Sequence, residues 1–510
     1  MRAMTTGKIY YRPEWTCGRY NKEHQATIYY NLIEGMSYYF EDYSAQVMGF
    51  ILSVTRNAPF NILQLADSTG IAIESLEPFM EQLLSLGMIT THKPDEVYIK
   101  EYRKQVSIRR KADSLQEKSV EAKLPIAMTN AETEYAERVG GITTVMFELT
   151  YNCSEKCIHC YNLGATRNDY EISERGSRDE MTLNEYKRVI DELYDEGLQK
   201  VCLSGGDPFS KSFVWDIIDY LYSKEIAIDI FTNGQRLVGK TNILANYYPR
   251  LVGVSLYSGI AEEHDYITRI NGSWEKSVQV ISELSDLAVP LNIKCCIMKP
   301  NVNSYHLVTD IAKKHGAVTQ FEVSVTDSVG HDKCVSKYLR LAPNEYEVVL
   351  RDSNIPLYVG KEAPNYGGQR REMNDTVCGA GRNSCCITPE GNVIPCCSYH
   401  LQLGNIRTLS ITEILRSETI KWWKGVTLDN YNECGRYDYC DYCNLCPGIN
   451  FTEHGTPLKA GENNCYLAKV RHNLALKMMK GYDPLEGKSL TEALSSLKSS
   501  KPKIKREISR

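Results

Sequence analysis

Six short apolar segments, each followed by an amphipathic helical segment, occupy the middle of this 510-residue chain. They are residues 144–149, 200–203, 226–231, 251–256, 291–297 and 320–325. Strands that alternate with helices are typical of βα units, which place their strands in one parallel sheet. A capping-box pair, Thr182 and Glu185, marks the start of the helix before the second strand. Six units are too few to close an eight-stranded barrel, so the sequence predicts an α/β fold with an open, partial (β/α)6 barrel at residues 141–335.

Three cysteines follow the first predicted strand at C-x3-C-x2-C spacing, namely Cys153, Cys157 and Cys160. Three thiolates on one short loop can hold three irons of a four-iron cluster and leave the fourth iron open for reaction. The loop also lies where α/β folds bind their ligands, at the carboxyl ends of the strands. The pattern favours a catalytic iron–sulfur cluster, and buried or zinc-bound cysteines are the alternative.

Composition narrows the kinds of partner that this chain can have. It carries 59 Lys and Arg against 64 Asp and Glu, so its small net charge of −5 indicates neither a nucleic-acid nor a membrane partner. The N-terminus lacks the apolar core of a signal peptide, and no run is long enough to span a bilayer. We therefore expect a cytoplasmic protein, in which metal or cluster ligation explains the 18 cysteines better than disulfides do.

The cysteine loop after a first strand resembles the cluster-binding motif of the radical S-adenosylmethionine (SAM) enzymes. This resemblance implies that Cys153, Cys157 and Cys160 are the catalytic residues and hold a [4Fe–4S] cluster whose open iron binds SAM. The reduced cluster would cleave SAM to a 5′-deoxyadenosyl radical, which takes a hydrogen atom from the substrate. The expected activity is that of an oxidoreductase.

Other positions match the SAM-contacting residues of that family. Gly205, Gly206 and Asp207 follow the second strand and resemble the family's Gly-Gly-Glu motif, with Asp in place of Glu. The shorter acidic side chain leaves its own contact open, whereas the two glycines allow a ligand to approach the backbone. The remaining SAM contacts implied by the resemblance are Tyr161, Asn233, Ser255 and Arg269. Arg269 would pair with the SAM carboxylate, and Tyr161 would lie beside the adenine or have a packing role.

Ten of the 18 cysteines lie between Cys378 and Cys465, which indicates a second cysteine-ligated module. Cys378, Gly391 and Cys396 are spaced C-x12-G-x4-C, and residues 389–392 predict a hairpin turn between two short strands. This order resembles the SPASM extension of radical SAM enzymes, which implies a cysteine-rich iron–sulfur domain with two auxiliary four-iron clusters at residues 345–470. Zinc ribbons are the alternative.

The later cysteines depart from the SPASM pattern C-x2-C-x5-C-x3-C, because Cys446 comes too early and no cysteine stands three residues after it. We therefore expect one cluster on Cys440, Cys443, Cys446 and Cys465. The other would use Cys378 and Cys396, completed from Cys385, Cys386, Cys397 or Cys434, or would keep an open iron for a substrate thiolate. We expect the others, Cys17, Cys202, Cys295, Cys296 and Cys334, to be ordinary buried residues.

Residues 1–105 predict strands, three helices and a short wing, which is the order of a winged-helix domain. Segment 60–88 contains no Lys or Arg, whereas a DNA-recognition helix needs basic residues. The domain instead resembles the peptide-recognition element of enzymes that mature ribosomally made peptides, where a leader peptide adds a strand to the sheet edge. A scaffold domain is the alternative. Residues 106–140 predict a linker, and residues 471–510 predict a helical or disordered basic tail.

Together these resemblances imply a radical SAM peptide maturase that crosslinks a ribosomal precursor peptide carrying a leader. We expect a thioether from a peptide cysteine first, with a carbon–carbon or ether crosslink as the alternative. Formylglycine-forming sulfatase maturation is another enzymatic alternative, although it does not need the N-terminal domain. A DNA-binding iron–sulfur redox regulator is the alternative from another class, and the basic recognition helix that it requires is missing. The family also implies a flavodoxin- or ferredoxin-type reductant.

Overall fold

The computed structural model describes residues 7–116, 129–162, 179–327, 333–360 and 368–501. Part of the predicted linker, residues 117–128, and the end of the predicted basic tail, residues 502–510, lie outside these described residues. Among the helices that the structure describes, none is long and apolar enough to cross a membrane.

The N-terminal unit combines short antiparallel strands with helices. Its strands are β1 (Ile9–Tyr11), β2 (Thr16–Asn21), β3 (Ala26–Asn31), β4 (Met36–Glu41) and β5 (Pro59–Asn61). Its helices are α1 (Asp42–Ser53), α2 (Ile62–Thr69), α3 (Ile73–Ser85) and α4 (Glu96–Leu115). Strands β2, β3 and β4 form one sheet with β4 at its edge, and β1 pairs with β5.

The three predicted helices of this unit are present, and local signals explain their ends. Asn61 and Gln64 form a capping box at the start of α2, and Gly70 ends that helix in the left-handed conformation. The wing predicted at residues 88–91 is not a strand but an isolated bridge between Thr90 and Tyr11. The winged-helix assignment of the whole unit stays a prediction.

The centre of the molecule is a nine-stranded sheet, in which the six predicted barrel strands are neighbours in chain order. They are β6 (Thr144–Glu148), β7 (Lys200–Ser204), β8 (Ala227–Thr232), β9 (Leu251–Ser255), β10 (Leu291–Cys296) and β11 (Val318–Glu322). Each pairs with the next in parallel. The six-stranded parallel arrangement expected of a partial barrel is confirmed.

Helices cover one face of this sheet and leave the other face to the barrel lumen. They are α6 (Leu183–Asp195), α7 (Val214–Ser223), α8 (Thr241–Ala245), α9 (Ala261–Thr268), α10 (Ser273–Asp286) and α11 (Leu307–Lys314), whereas α5 (Asn130–Val139) packs on strands β3 and β4 of the N-terminal unit. The predicted Thr182–Glu185 capping box starts α6. Strand residues such as Phe147 and Leu203 join helix residues such as Val189 in one core. The intervening strand residues therefore face the lumen.

The predicted hairpin of the C-terminal region extends the barrel sheet. Its strands are β12 (Ser384–Ile387) and β13 (Asn392–Ile394), followed by β14 (Gly404–Asn405). β12 pairs in parallel with β6 and antiparallel with β13, so the hairpin is confirmed and continues the barrel at its first strand. Nothing in the sequence indicated that continuation. The remaining helices are α12 (Lys333–Leu339), α13 (Pro343–Val349), α14 (Ile411–Leu415), α15 (Glu418–Gly425), α16 (Pro447–His454), α17 (Glu462–Met479) and α18 (Leu490–Ser495).

A buried ion network joins the N-terminal unit to the base of the barrel. Both carboxylate oxygens of Glu132 on α5 accept hydrogen bonds from Lys200 Nζ at 3.0 Å, and Tyr30 donates to the same carboxylate at 3.0 Å. Arg250 Nε lies 3.7 Å from Glu132 and pairs with Asp229. Because Lys200 begins β7, this network lies at the amino ends of the strands. The opposite end of the barrel is the one that carries the cysteine loop.

Candidate iron–sulfur and SAM site

The first cysteine loop leaves the carboxyl end of β6 and is fixed against α9. Backbone amides of Lys156 and Ile158 donate to the carbonyls of Thr268 and Ile267, each at 2.9 Å. The Ile158 side chain is buried in a small apolar cluster that includes Ile267. These contacts fix the middle of the loop against α9. The loop presents Cys153, Cys157 and Cys160 at this end of the barrel, with Cys153 exposed and the other two partly buried.

Gly205 and Gly206 hold the second strand close to this loop. The amide of Gly206 donates to the Thr150 carbonyl at 2.7 Å. A Cβ at Gly205 would overlap the carbonyl oxygen of Thr150, and one at Gly206 would overlap that of Asn152. Gly205 also has a φ of +123°, which L side chains rarely adopt. The structure thus gives the glycine pair a role that residue spacing did not reveal, which is to admit the backbone of the cysteine loop.

Asp207 and Asn233 support the loop from the ends of β7 and β8. The Asp207 carboxylate is fully buried and accepts a hydrogen bond from Thr232 Oγ1, while its second oxygen has no hydrogen-bond partner among the described residues. Burial raises the pKa of Asp207 to about 6, and its hydrogen bond with Thr232 opposes that rise. Asn233 Nδ2 lies 3.3 Å from Cys153 Sγ. Both predicted residues therefore lie at the loop, with Asn233 in direct contact with a cysteine sulfur.

A series of hydrogen bonds, which the sequence analysis did not predict, reaches the loop from α9 and α10. The amide of Tyr257 donates to His264 Nδ1 at 3.1 Å, so the other ring nitrogen of His264 carries the proton toward Ser273 Oγ at 3.0 Å. Ser273 then donates to Glu155 at 2.6 Å. Burial raises the pKa of Glu155 to about 7. No short motif joins these residues in sequence, although an acidic residue between two candidate ligands was visible.

The other three predicted SAM contacts take different positions. Ser255 ends β9 and is partly exposed. Arg269 is exposed and follows α9 directly, next to the residues that anchor the loop. Tyr161 instead lies next to Cys397, a residue of the second cysteine module. The structure therefore brings Tyr161 toward the lumen between the two modules.

The later cysteines form two groups, and their membership differs from the predicted one. Cys434, Cys440, Cys443 and Cys465 line a single cavity. Cys446 instead lies near Cys378 and Cys396. Burial raises the pKa values of Cys396 and Cys446, and the charges of neighbouring thiols raise them further. The reason is the chain path, because Cys446 caps α16 and Gly448 in that helix packs directly on Ser398. Cys434 thus joins Cys440, Cys443 and Cys465 in the group where the spacing predicted Cys446.

Three further candidate ligands lie on or beside strand β12, and two of them, Cys386 and Cys397, are neighbours of Cys396. Cys385 is buried in the apolar core of the barrel, where burial alone raises its pKa to about 12. The next residue, Cys386, is on the opposite face of β12, near Glu148 and Cys397. Cys397 lies near Glu148 and Lys294 and faces the lumen. Strand alternation turns the candidate ligand Cys385 away from both groups, and its role as a ligand stays a prediction.

The arrangement of thiols fits clusters better than single metal ions. Among the described residues, no group of three or more His, Cys, Asp or Glu side chains is close enough to hold one ion. A tetrahedral zinc site needs sulfurs about 4 Å apart, whereas a four-iron cluster spreads its cysteines over the corners of a larger body. Burial raises the pKa of Cys443 to about 12. This thiol is protonated until iron binds, and cluster assembly must release its proton.

Comparisons with known proteins agree with this geometry. Residues 147–304 match the family model of the radical SAM superfamily, and residues 378–447 match SPASM, an iron–sulfur cluster-binding domain. The antilisterial bacteriocin subtilosin biosynthesis protein AlbA of Bacillus subtilis is 27% identical over 338 residues, covering 63% of this chain and 70% of that protein. The mycofactocin maturase MftC of Mycobacterium tuberculosis is 27% identical over 360 residues, covering 64% of this chain and 85% of that one.

Solved structures support the fold over a longer stretch. Streptococcus suis SuiB bound to S-adenosylmethionine aligns with a TM-score of 0.50 at 14% identity, covering 90% of this chain and 100% of that one. SuiB bound to its precursor peptide SuiA aligns with a TM-score of 0.50 at 12% identity, again over 90% and 100%. Identities this low bear on the fold alone. With the matched cysteine loop and barrel, residues 147–304 carry a radical SAM domain and residues 378–447 carry a SPASM iron–sulfur domain.

Proposed function

We propose that this chain is a peptide-modifying radical SAM enzyme that crosslinks a ribosomally made precursor peptide. One observation carries the proposal: the C-x3-C-x2-C loop is clamped at the carboxyl ends of the barrel strands, where a lumen continues toward the second cysteine module. Two relatives, named for bacteriocin biosynthesis and for mycofactocin maturation, support a peptide substrate.

Cys153, Cys157 and Cys160 would hold the catalytic cluster, and Asn233 would steady the sulfur of Cys153 from β8. When bound, the cluster and SAM supply a 5′-deoxyadenosyl radical. The chain itself would orient the reacting groups and exclude water from them. Arg269 would pair with the SAM carboxylate, and Ser255 would contact SAM from the end of β9. A flavodoxin- or ferredoxin-type protein would supply the electron.

The two groups of later cysteines would hold two auxiliary clusters. Cys434, Cys440, Cys443 and Cys465 would complete one cluster. Cys378, Cys396 and Cys446 would hold the other with three thiolates. Three ligands leave one iron free for a cysteine thiolate of the peptide. This supports a thioether as the bond formed, ahead of a carbon–carbon or ether crosslink.

The leader of the precursor would bind at the free edge of β4. A groove there is lined by residues of β4, α3 and α5, with Phe40 and Phe79 in edge-to-face contact across it at 6.1 Å between ring centroids. An extended peptide can pair with an edge strand through its backbone while its side chains enter such a groove. Leu86 of this groove is exposed and would supply apolar surface for a side chain of the leader.

The activity is tested by anaerobic reconstitution, reduction with dithionite and addition of SAM with a candidate precursor, a short peptide encoded near this gene. We expect 5′-deoxyadenosine, and a peptide product that has lost the mass of two hydrogen atoms for each crosslink. Protein that binds its clusters and still forms no 5′-deoxyadenosine would contradict the radical chemistry. Formation of 5′-deoxyadenosine with an unchanged peptide would contradict only the choice of substrate.

The leader site is tested by a matched pair of surface substitutions. Leu86→Glu places a charge in the groove, and Leu63→Glu makes the same change on α2, outside the groove. Both leucines are similarly exposed, at 38% and 44%. We expect Leu86→Glu to weaken leader binding about tenfold, the value of one lost apolar anchor. Equal affinities of the two variants by fluorescence anisotropy would remove the leader-binding proposal.

A further inference from the structure

Lys294 is a cation inside the barrel that has no anionic partner among the described residues. Its neighbours Ile293 and Cys295 belong to the core under the helices, so the Lys294 side chain projects to the lumen side of β10. Its Nζ lies 3.3 Å from the ring centroid of Phe231 on β8. No described carboxylate forms an ion pair with it, and no described acceptor forms a hydrogen bond with it.

The surrounding residues make room for this arrangement. Gly253 lies on β9, between the strands of Phe231 and Lys294. A Cβ at Gly253 would be 2.7 Å from Phe231 Cδ1 and 3.1 Å from Lys294 Cδ, so any side chain there would push the ring or the lysine away. The missing side chain at Gly253 therefore allows the lysine to lie across the aromatic ring, where an ammonium group is attracted to the ring face.

The nearby acidic groups do not neutralise the lysine. Asp229, the nearest carboxylate on its side of the sheet, is held by Arg250 through two hydrogen bonds. The other neighbours are the side chains of Cys202 and Cys397, and neither forms an ion pair or a hydrogen bond with Lys294 among the described residues. Lys294 is partly buried, and an ammonium group that is partly withdrawn from water without a counter-charge costs free energy. A bound anion would remove that cost, and a neutral acceptor would remove only part of it.

We propose that Lys294, seated on Phe231 in the space left by Gly253, binds a carboxylate group inside the barrel lumen. On the proposed function, that carboxylate belongs to the peptide being modified, as an acidic side chain or as the C-terminus. The second source is the carboxylate of SAM, because Lys294 pairs in register with Ser255, a candidate SAM contact. A carboxylate gives the charge and the directed oxygen atoms that the three donors of an ammonium group can use.

The test uses the reconstituted holoenzyme and needs no knowledge of the peptide. Lys294→Met removes the charge at similar length, Lys294→Arg keeps it, and Lys276→Met makes the same change on the exposed face of α10 as a control. Thermal unfolding is followed with sodium acetate and, at matched ionic strength, with the uncharged isostere acetamide. SAM and decarboxylated SAM are compared by equilibrium dialysis.

We expect acetate, and not acetamide, to raise the unfolding temperature of the parent, of Lys294→Arg and of Lys276→Met, and to have no effect on Lys294→Met. Without ligands, Lys294→Met should unfold at the same temperature as Lys276→Met or higher, because it removes an unpaired charge. SAM affinities within about twofold of the parent then identify the peptide carboxylate as the ligand.

A loss of about tenfold in SAM affinity for Lys294→Met, with no loss for decarboxylated SAM, identifies the SAM carboxylate instead. The proposal is overturned if Lys294→Met keeps the acetate response and the SAM affinity, or if it unfolds below Lys276→Met, since the lysine would then have a structural role. None of these readouts depends on crosslinking. An enzyme with a different substrate would therefore leave the acetate result intact.

Discussion

The two cysteine modules differ in how the chain brings their thiols together. The first places three cysteines within residues 153–160 of one loop, and backbone hydrogen bonds to α9 and β7 fix that loop. The second draws on cysteines from residue 378 to residue 465, which lie on separate turns and helices. Spacing predicts the members of a group inside one loop, because the loop cannot separate them. Across a long segment, the path of the chain decides which thiols meet.

The largest expected effect separates the roles of the two modules. Cys157→Ala should abolish 5′-deoxyadenosine formation, because a loop with two thiolates cannot hold the catalytic cluster in place. Cys443→Ala should keep part of the SAM cleavage and lose the crosslinked peptide, because it removes only an auxiliary ligand. Chromatographic measurement of 5′-deoxyadenosine and mass spectrometry of the peptide check the two results.

The matched control is Cys17→Ala, a buried cysteine of the N-terminal unit that lies in neither group. It should retain both SAM cleavage and peptide product. If Cys443→Ala gives as much crosslinked peptide as this control, the second module has no part in the reaction, and the contrast between the modules disappears.

The grouping of the later cysteines is open to a double-substitution test. Cys378→Ala and Cys446→Ala should each lose the iron of one cluster, and the double variant should lose no more, since both belong to the same group. Combining Cys446→Ala with Cys434→Ala should lose the iron of two clusters. Iron analysis with Mössbauer spectroscopy makes the measurement. If the iron losses of Cys378→Ala and Cys446→Ala add up in the double variant, the two cysteines belong to different clusters, as their spacing suggested.

The same contrast explains how much of the molecule could be predicted. The barrel strands were visible because each short apolar run is buried on its helix side and is followed by an amphipathic helix, such as α6 with its capping box. The first cysteine loop could be predicted because its three cysteines lie within residues 153–160 of one loop. Glu155, Ser273 and Lys294 could not be identified, because their partners come from strands and helices far away in sequence. The position of β12 beside β6 likewise depends on a pairing across more than two hundred residues.

A smaller effect is expected from a substitution at the base of the barrel. It should change the stability of the fold without changing either cysteine module. Glu132→Ala should lower the free energy of unfolding by about 3–5 kcal/mol, because Lys200 and Arg250 would lose their shared buried carboxylate. Glu137→Ala, on an exposed position of the same helix, is the control. Denaturant titration measures the difference. Because both modules lie at the other end of the strands, their iron content should not change, and loss of iron would show that the two ends are coupled.

The last expected effect is a pH dependence and concerns Glu148, which ends β6 and lies between the modules. Burial raises its pKa to about 8 from 4.5, and the charge of Glu390 in the hairpin turn of the second module adds to the rise. The folded protein therefore holds a proton that the unfolded chain releases between these values, so stability should fall as the pH rises from about 5 to about 8. Glu148→Gln should remove this part of the pH dependence in denaturant titrations of the cluster-free protein, whereas Glu137→Gln should not. Glu390→Gln should shift the fall in stability to lower pH, because less repulsion then opposes ionisation of Glu148. An unchanged profile for Glu390→Gln would mean that the second module does not act electrostatically on the strand that carries the first.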